Sequence, residues 1–146
     1  QTHGWLWLMK EVIADTGPLV AYLDRSDRDH AWAKEVFSKI TRPLLTCEAV
    51  IAEALFLLRR GGIDPDGLLD LIRRGLLVPK FDLAQEITAI QQLMKTYRNI
   101  PMSLADACLV RMAEVFPESK VMTLDSDFVV YRKSRRKVIP LLRPDR

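Results

Sequence analysis

Four carboxylates stand where packing alone does not account for them: Asp15, Glu53, Asp106 and Asp125. Asp15 ends the β-branched run Val12-Ile13-Ala14 and is followed at once by Thr16-Gly17-Pro18, the pattern of a strand that stops at an acid and turns into a helix. Lys120-Val121-Met122-Thr123-Leu124 runs the same way into Asp125-Ser126-Asp127-Phe128. In a parallel sheet both acids would lie at the carboxyl edge, where open α/β folds keep their ligand crevice. Glu53 has Ala49, Val50, Phe56 and Leu57 as its helical neighbours, an apolar face on which an unpaired charge costs roughly several kcal/mol. It must meet a cation or face a cleft. Asp106 closes Ser103-Leu104-Ala105-Asp106, a capping-box pattern that offers it a purely structural role. Leu109 and Val110 continue the helix on its side, which turns its carboxylate toward the sheet. Glu48 has an easier account, since the macrodipole favours an anion in a first helical turn.

Four carboxylates in one pocket repel, and without a counter-charge some would bind protons. A hard divalent cation with oxygen ligands resolves this at neutral pH, and such a site suits phosphate-ester hydrolysis, with the cation activating water and stabilising charge on phosphoryl oxygens. Asp125 is preferred to Asp127 as the fourth ligand because the strand before it fixes its backbone, whereas Asp127 suits a turn or a cap.

The elements that must position these acids alternate strand and helix. Strands are expected at residues 12–14, 44–45, 76–78, 121–124 and 138–142, the last at an edge because of Pro140. Helices follow Pro18, begin near His30, start from a Thr46 cap, start from Asp64-Pro65, run from Leu83 to Tyr97, and start from Ser103. Trp32, Val36 and Phe37, and later Ile87, Ile90, Met94 and Tyr97, fall on core faces. This order predicts a three-layer α/β/α domain around a mostly parallel twisted sheet of about five strands, spanning residues 9–142.

With 146 residues, 49% of them hydrophobic and 28% charged, one ordinary globular domain is expected. Net charge is only +3, but seven cations and one acid, Asp145, fill the last fifteen positions. Arg132, Lys133, Arg135, Arg136 and Lys137 would suit a polyanion; the plain alternative is a solvated face, and residues 143–146 form a basic tail. Cys47 and Cys108 have neither C-x-x-C spacing nor histidine company and read as reduced core thiols. Residues 1–8 are too short an apolar run for a signal peptide or membrane helix, and Met9 resembles a natural start, so they are expected to lie upstream of the domain in a cytoplasmic protein without a membrane span. An aspartyl-nucleophile phosphatase would want a second acid where Gly17 stands, and His30 has no placed serine for triad chemistry.

Four stretches in this order and spacing resemble the PIN-domain ribonucleases, and among them the VapC-type toxins of prokaryotic toxin–antitoxin pairs: IADTGPLVAYLD at residues 13–24, TCEAVIAEALFLLRR at 46–60, LADACLV at 104–110 and TLDSDF at 123–128. The resemblance implies a metal-dependent endoribonuclease in which Asp15, Glu53, Asp106 and Asp125 bind Mg²⁺ or Mn²⁺, with Thr16 and Thr123 supporting the site. It further implies RNA as substrate, a small antitoxin protein as partner and a homodimer. The chain departs from the pattern in its surplus acids, Glu48 and Asp127. The rival of another class is a PIN-like nucleic-acid or protein-binding module without turnover.

Overall fold

The computed structural model describes residues 10–145, so the expectations for residues 1–8, for Met9 and for the end of the basic tail at Arg146 lie outside the described residues. Five strands form one parallel sheet in the order β3-β2-β1-β4-β7: β1 (Val12–Ala14), β2 (Leu44–Thr46), β3 (Leu77–Pro79), β4 (Lys120–Met122) and β7 (Leu141–Leu142). The apolar β-branched residues of β1 are buried on both faces, as the central strand of a covered parallel sheet requires. Among the described residues six helices cover it: α1 (Thr16–Leu23), α2 (His30–Lys39), α3 (Glu48–Arg60), α4 (Asp66–Arg73), α5 (Ile87–Thr96) and α6 (Leu104–Val115). The three-layer α/β/α architecture expected from the sequence is the one observed. A separate antiparallel ribbon, β5 (Arg132–Lys133) with β6 (Lys137–Val138), stands outside the sheet.

The chain leaves β1 outward through β2 to β3, then returns to the other side of β1 to form β4. The boundary between β1 and β4 is therefore the topological switch point, where loops at the carboxyl ends of the strands part and leave a crevice. Their register is continuous through Ile13 with Val121 and Ala14 with Met122, and the Asp15 N–H donates to the Met122 carbonyl at 2.9 Å.

Several boundaries differ from expectation for identifiable reasons. Thr46 does not cap α3. It is the last residue of β2, fully buried, and its Oγ1 donates to the Ala14 carbonyl at 2.9 Å, tying β2 to β1 beneath Asp15; Cys47 takes the cap position without a side-chain bond. The helix expected from Leu83 starts only at Ile87, because the Asp82 side chain accepts from the Gln85 N–H and holds the preceding residues in turns. Ile87 and Met94 are exposed, and Ile90, with Leu93 and Tyr97, makes the contact instead. β4 stops at Met122, before Thr123 and Leu124. The single strand expected over 138–142 is two, since Val138 pairs in the ribbon and Pro140, which lacks an N–H, separates it from β7; the Pro140 carbonyl still accepts from Val121.

Candidate active site

Asp15 is built in by the end of β1. Its backbone is extended, it caps α1, and its side chain is 6% exposed. Oδ1 accepts the Thr16 N–H at 2.7 Å and Oδ2 accepts the Thr123 hydroxyl at 2.7 Å. The second bond joins the ends of β1 and β4 through two side chains. Gly17 permits this closeness: a Cβ there would stand 3.2 Å from the Leu124 side chain, inside ordinary contact.

Thr123 is fully buried and its Oγ1 also accepts the Asp125 N–H at 2.9 Å, so one hydroxyl sets both acids. Asp125 follows β4 at a distance of three residues. Its Oδ1 accepts the Asp127 N–H at 2.9 Å and caps a 3₁₀ turn, Ser126–Val129. The capping role expected of Asp127 thus belongs to Asp125, and Asp127 lies within the first turn, its carbonyl accepting from Val130 and Tyr131. The rigidity expected for Asp125 is present, but Thr123 and this cap supply it rather than the strand itself.

Asp106 takes part in a capping box and is also turned inward. The capping box is complete, with Ser103 N–H donating to Oδ2 at 3.1 Å and Asp106 N–H donating to Ser103 Oγ at 3.0 Å. The side chain nonetheless lies on the buried side of α6, at 9% residue exposure. A third participant escaped the sequence reading: the hydroxyl of Tyr131, itself fully buried, donates to Asp106 Oδ2 at 3.3 Å. Tyr131 is held edge-on by Tyr97 and Phe128, each with ring centroids 5.1 Å away. The only signal in sequence was a tyrosine after Phe128 at the mouth of the basic stretch, which reads as ordinary core.

Glu53 is exposed on α3, so its cost on an apolar face is avoided by facing outward. It borders the site through Thr16, whose hydroxyl donates to Glu53 Oε2 at 3.1 Å. Glu48 sits exposed in the first turn of α3, consistent with its structural assignment. The network therefore runs Glu53, Thr16, Asp15, Thr123, Asp125, with Asp106 on the facing helix.

Charge crowding in the crevice is visible in the acids themselves. Burial raises the Asp15 carboxyl from 3.8 to about 6 against the lowering effect of its two hydrogen bonds, and the Asp106 and Asp125 charges add to the rise. Burial also raises Asp106, with the Asp125 charge contributing. Burial, then the charges of Asp106 and Asp127, raise the Tyr131 phenol, which stays a hydrogen-bond donor. Behind the crevice Cys108 is kept protonated by its bond toward Cys47, while that bond lowers Cys47; both thiols are buried and free, as expected.

Among the described residues no three such side chains converge into a group that would enclose an ion. The donor set still fits a hard cation: every group is an oxygen donor, mutual repulsion favours positive charge between them, and Mg²⁺ retains several waters while taking only one or two carboxylates.

The basic stretch divides. Lys133 was expected among the RNA contacts but is 8% exposed, and its Nζ donates to the Pro117 carbonyl at 3.0 Å. Arg132 donates from one nitrogen to the carbonyls of Val129, Val130 and Tyr131, closing the 3₁₀ turn. Arg135, Arg136 and Lys137 are exposed on the ribbon. Among the described residues no helix is long and apolar enough to cross a membrane.

The scaffold is thus a parallel α/β/α sandwich with Asp15 and Asp106 buried at its switch point. A sequence profile of the PIN domain matches residues 12–134, and the chain belongs to the PIN-domain family. Over 119 residues it is 29% identical to Ribonuclease VapC26 of Mycobacterium tuberculosis, a match covering 78% of this chain and 86% of that protein. The fold is similar to the crystal structure of Mycobacterium tuberculosis VapC20, a sarcin–ricin-loop-cleaving toxin, with a TM-score of 0.69 and 22% identity over 82% of this chain and 94% of the other.

Proposed function

We propose that this chain is a Mg²⁺- or Mn²⁺-dependent endoribonuclease and the toxin of a toxin–antitoxin pair, acting in the cytoplasm as a homodimer held in check by a small antitoxin protein. The observation that carries this is the buried Thr123–Asp15 bond, which unites the ends of β1 and β4 and holds Asp15 within electrostatic reach of Asp106 and Asp125. The ribonuclease name of VapC26 supports the substrate class. Asp15, Asp106 and Asp125 would hold the cation, with Glu53 joining from the α3 side and Asp127 the spare acid that follows Asp125 in the chain. When bound there, the cation supplies Lewis acidity toward the phosphate.

The protein's own groups do the positioning. Thr123 and the Thr16 N–H fix both oxygens of Asp15; Ser103 and Tyr131 fix Oδ2 of Asp106, which leaves Oδ1 without a protein donor among the described residues. Thr16 orients Glu53. Exposed Phe56 and Leu57, beside Glu53 on α3, offer apolar surface to a protein partner at the rim of the site.

The test is RNA cleavage by purified protein with Mg²⁺, with Mn²⁺ and with excess chelator. Cleavage should need the cation and return on adding Mn²⁺. Full cleavage in chelator would sink the reading, and RNA binding without cleavage under any cation would identify a binding module.

A further inference from the structure

Beside the crevice, on the far side of Tyr131, a cleft of about 570 Å³ opens between α5, α6 and the ribbon. Its size suits a nucleotide-sized ligand. One wall is apolar and aromatic, from Leu93 of α5 and Tyr97 at its C-cap; the other carries the guanidinium groups of Arg111, Arg132 and Arg135 against a single carboxylate, Glu114. Arg111 is neutralised by Glu86, at 2.6 Å, and by Glu114, at 3.1 Å. Arg132 is not, because its partners are carbonyl oxygens. Arg135 is exposed at the rim. The cleft is therefore positive on balance.

The ribbon is fixed in place to present it. Its turn places two successive non-glycine residues in the left-handed region, Ser134 at φ 48° and Arg135 at φ 71°. A bond from the Ser134 N–H to Glu114 Oε2 at 2.5 Å docks the turn on α6. Backbone strain of this kind persists where surrounding contacts enforce it. At the inner end, the Arg132 N–H donates to the Tyr97 hydroxyl at 2.9 Å, and Tyr97 packs edge-on against Tyr131, whose hydroxyl is on Asp106. The Tyr97–Tyr131 pair thus links the wall of the cleft to Asp106.

We propose that this cleft binds a nucleotide of the substrate strand flanking the phosphodiester that lies in the acid crevice, its phosphate on Arg132 and Arg135 and its base against Leu93 and Tyr97. The proposal rests on the ribonuclease reading and deepens it. A mixed aromatic and guanidinium lining is the chemistry that holds single-stranded nucleic acid without reading a double helix. An acidic peptide would use the arginines but gains nothing from adjacency to a phosphate-directed site.

The test uses the full chain, a fluorescent single-stranded RNA oligonucleotide, and anisotropy without divalent cations across a salt series, followed by steady-state cleavage. Arg135→Asn suits the left-handed backbone and removes one charge; Gln92→Glu adds an isosteric charge to the exposed lining. Each should weaken RNA binding about tenfold and raise KM by the same factor with kcat unchanged, and Arg135→Asn should reduce the salt slope by about 0.7, the value for one phosphate. Lys34→Ala, an equal charge loss on α2, should change none of these. Cleft variants that bind RNA like Lys34→Ala overturn the proposal. So does an oligoglutamate peptide whose binding both variants lose while RNA affinity stays. Wild-type protein that binds no RNA fails the underlying reading as well, and is recognised before any variant is made.

Discussion

The acid crevice and the basic ribbon stand on either side of Tyr131, yet they are built on opposite terms. In the crevice Asp15 and Asp106 are buried and tied: Asp15 takes two bonds, Thr123 is fully enclosed beside it, and Asp106 is clamped on one oxygen. On the ribbon Arg135, Arg136 and Lys137 are exposed, and only the backbone is held. Chemistry needs atoms fixed within fractions of an ångström, whereas gripping a polyanion needs solvated charge that displaces counterions. The first arrangement costs folding stability and the second costs little. That contrast can be broken experimentally.

The largest effect is expected at Asp15. Its carboxyl is raised to about 6 in the folded chain, against 3.8 in the unfolded one. The stability it contributes is full below the unfolded value, where it is protonated in both states, and is lost as pH rises through 6. At neutral pH the metal-free protein thus carries a penalty on the order of 3 kcal/mol from this one group. Asp15→Asn should abolish cleavage, by at least about a hundredfold. In chelator at pH 7.5 it should also melt above wild type, a gain that vanishes by pH 4. Adding Mn²⁺ should stabilise wild type and leave the variant unmoved. A variant less stable than wild type at pH 7.5 would show that Asp15 is a structural cap and the crevice no charge trap.

Asp106 separates the two roles more finely. Asn keeps an oxygen for Ser103 and Tyr131, so Asp106→Asn should stay within about 1 kcal/mol of wild-type stability while cleavage is lost. Melting and activity measured on one preparation decide this. A variant that melts lower but cleaves normally would return Asp106 to its capping box.

What was legible in the sequence follows from the same contrast. Strand ends marked by acids, Gly-Pro after Asp15 and the Ser103 capping box are local signals, and they placed Asp15, Asp106 and the parallel α/β/α fold. The links between them are not local. Thr46 reads as a cap but serves as a cross-strand donor to Ala14, because a β1 neighbour 32 residues away offers it a carbonyl. Tyr131 reads as core because nothing near it in sequence shows that its hydroxyl reaches an acid 25 residues earlier. Val138 and Leu141 read as one strand because apolar periodicity does not say which partner each will find. Lys133 reads as solvated because a charge run hides the one member that turns inward.

A third, smaller difference is expected between the two acids after β4. Asp125→Asn should lower Mn²⁺ affinity and slow cleavage, since Asp125 shares the Thr123 hydroxyl with Asp15 and its charge raises both Asp15 and Asp106. Asp127→Asn should change these less, because Asp127 is tied to the 3₁₀ turn and Tyr131. Titrating Mn²⁺ by its paramagnetic signal with each variant ranks them; a larger loss for Asp127→Asn would move the fourth ligand two residues along the chain.

The smallest effects fall within the ribbon, where the contrast between buried and solvated charge recurs one residue apart. Lys133 buries its stem, places Nζ on the Pro117 carbonyl, and so fastens the ribbon to the end of α6. Removing it leaves that carbonyl short of a donor without taking any charge from the RNA-facing surface, so Lys133→Ala should lower stability by about 1 kcal/mol and leave the salt dependence of RNA binding unchanged. Arg136 is exposed, and its contribution is to counterion displacement alone. Arg136→Ala should leave the melting temperature within error and flatten the salt slope by about 0.7. Both follow from placement: the Lys133 ammonium is turned inward onto the Pro117 carbonyl, whereas Arg136 faces solvent, where it can meet a phosphate and displace that phosphate's counterion. If Lys133→Ala flattened the slope as Arg136→Ala does, the ribbon would have to open on RNA, and the division between a rigid chemical region and a solvated grip would fail at its boundary.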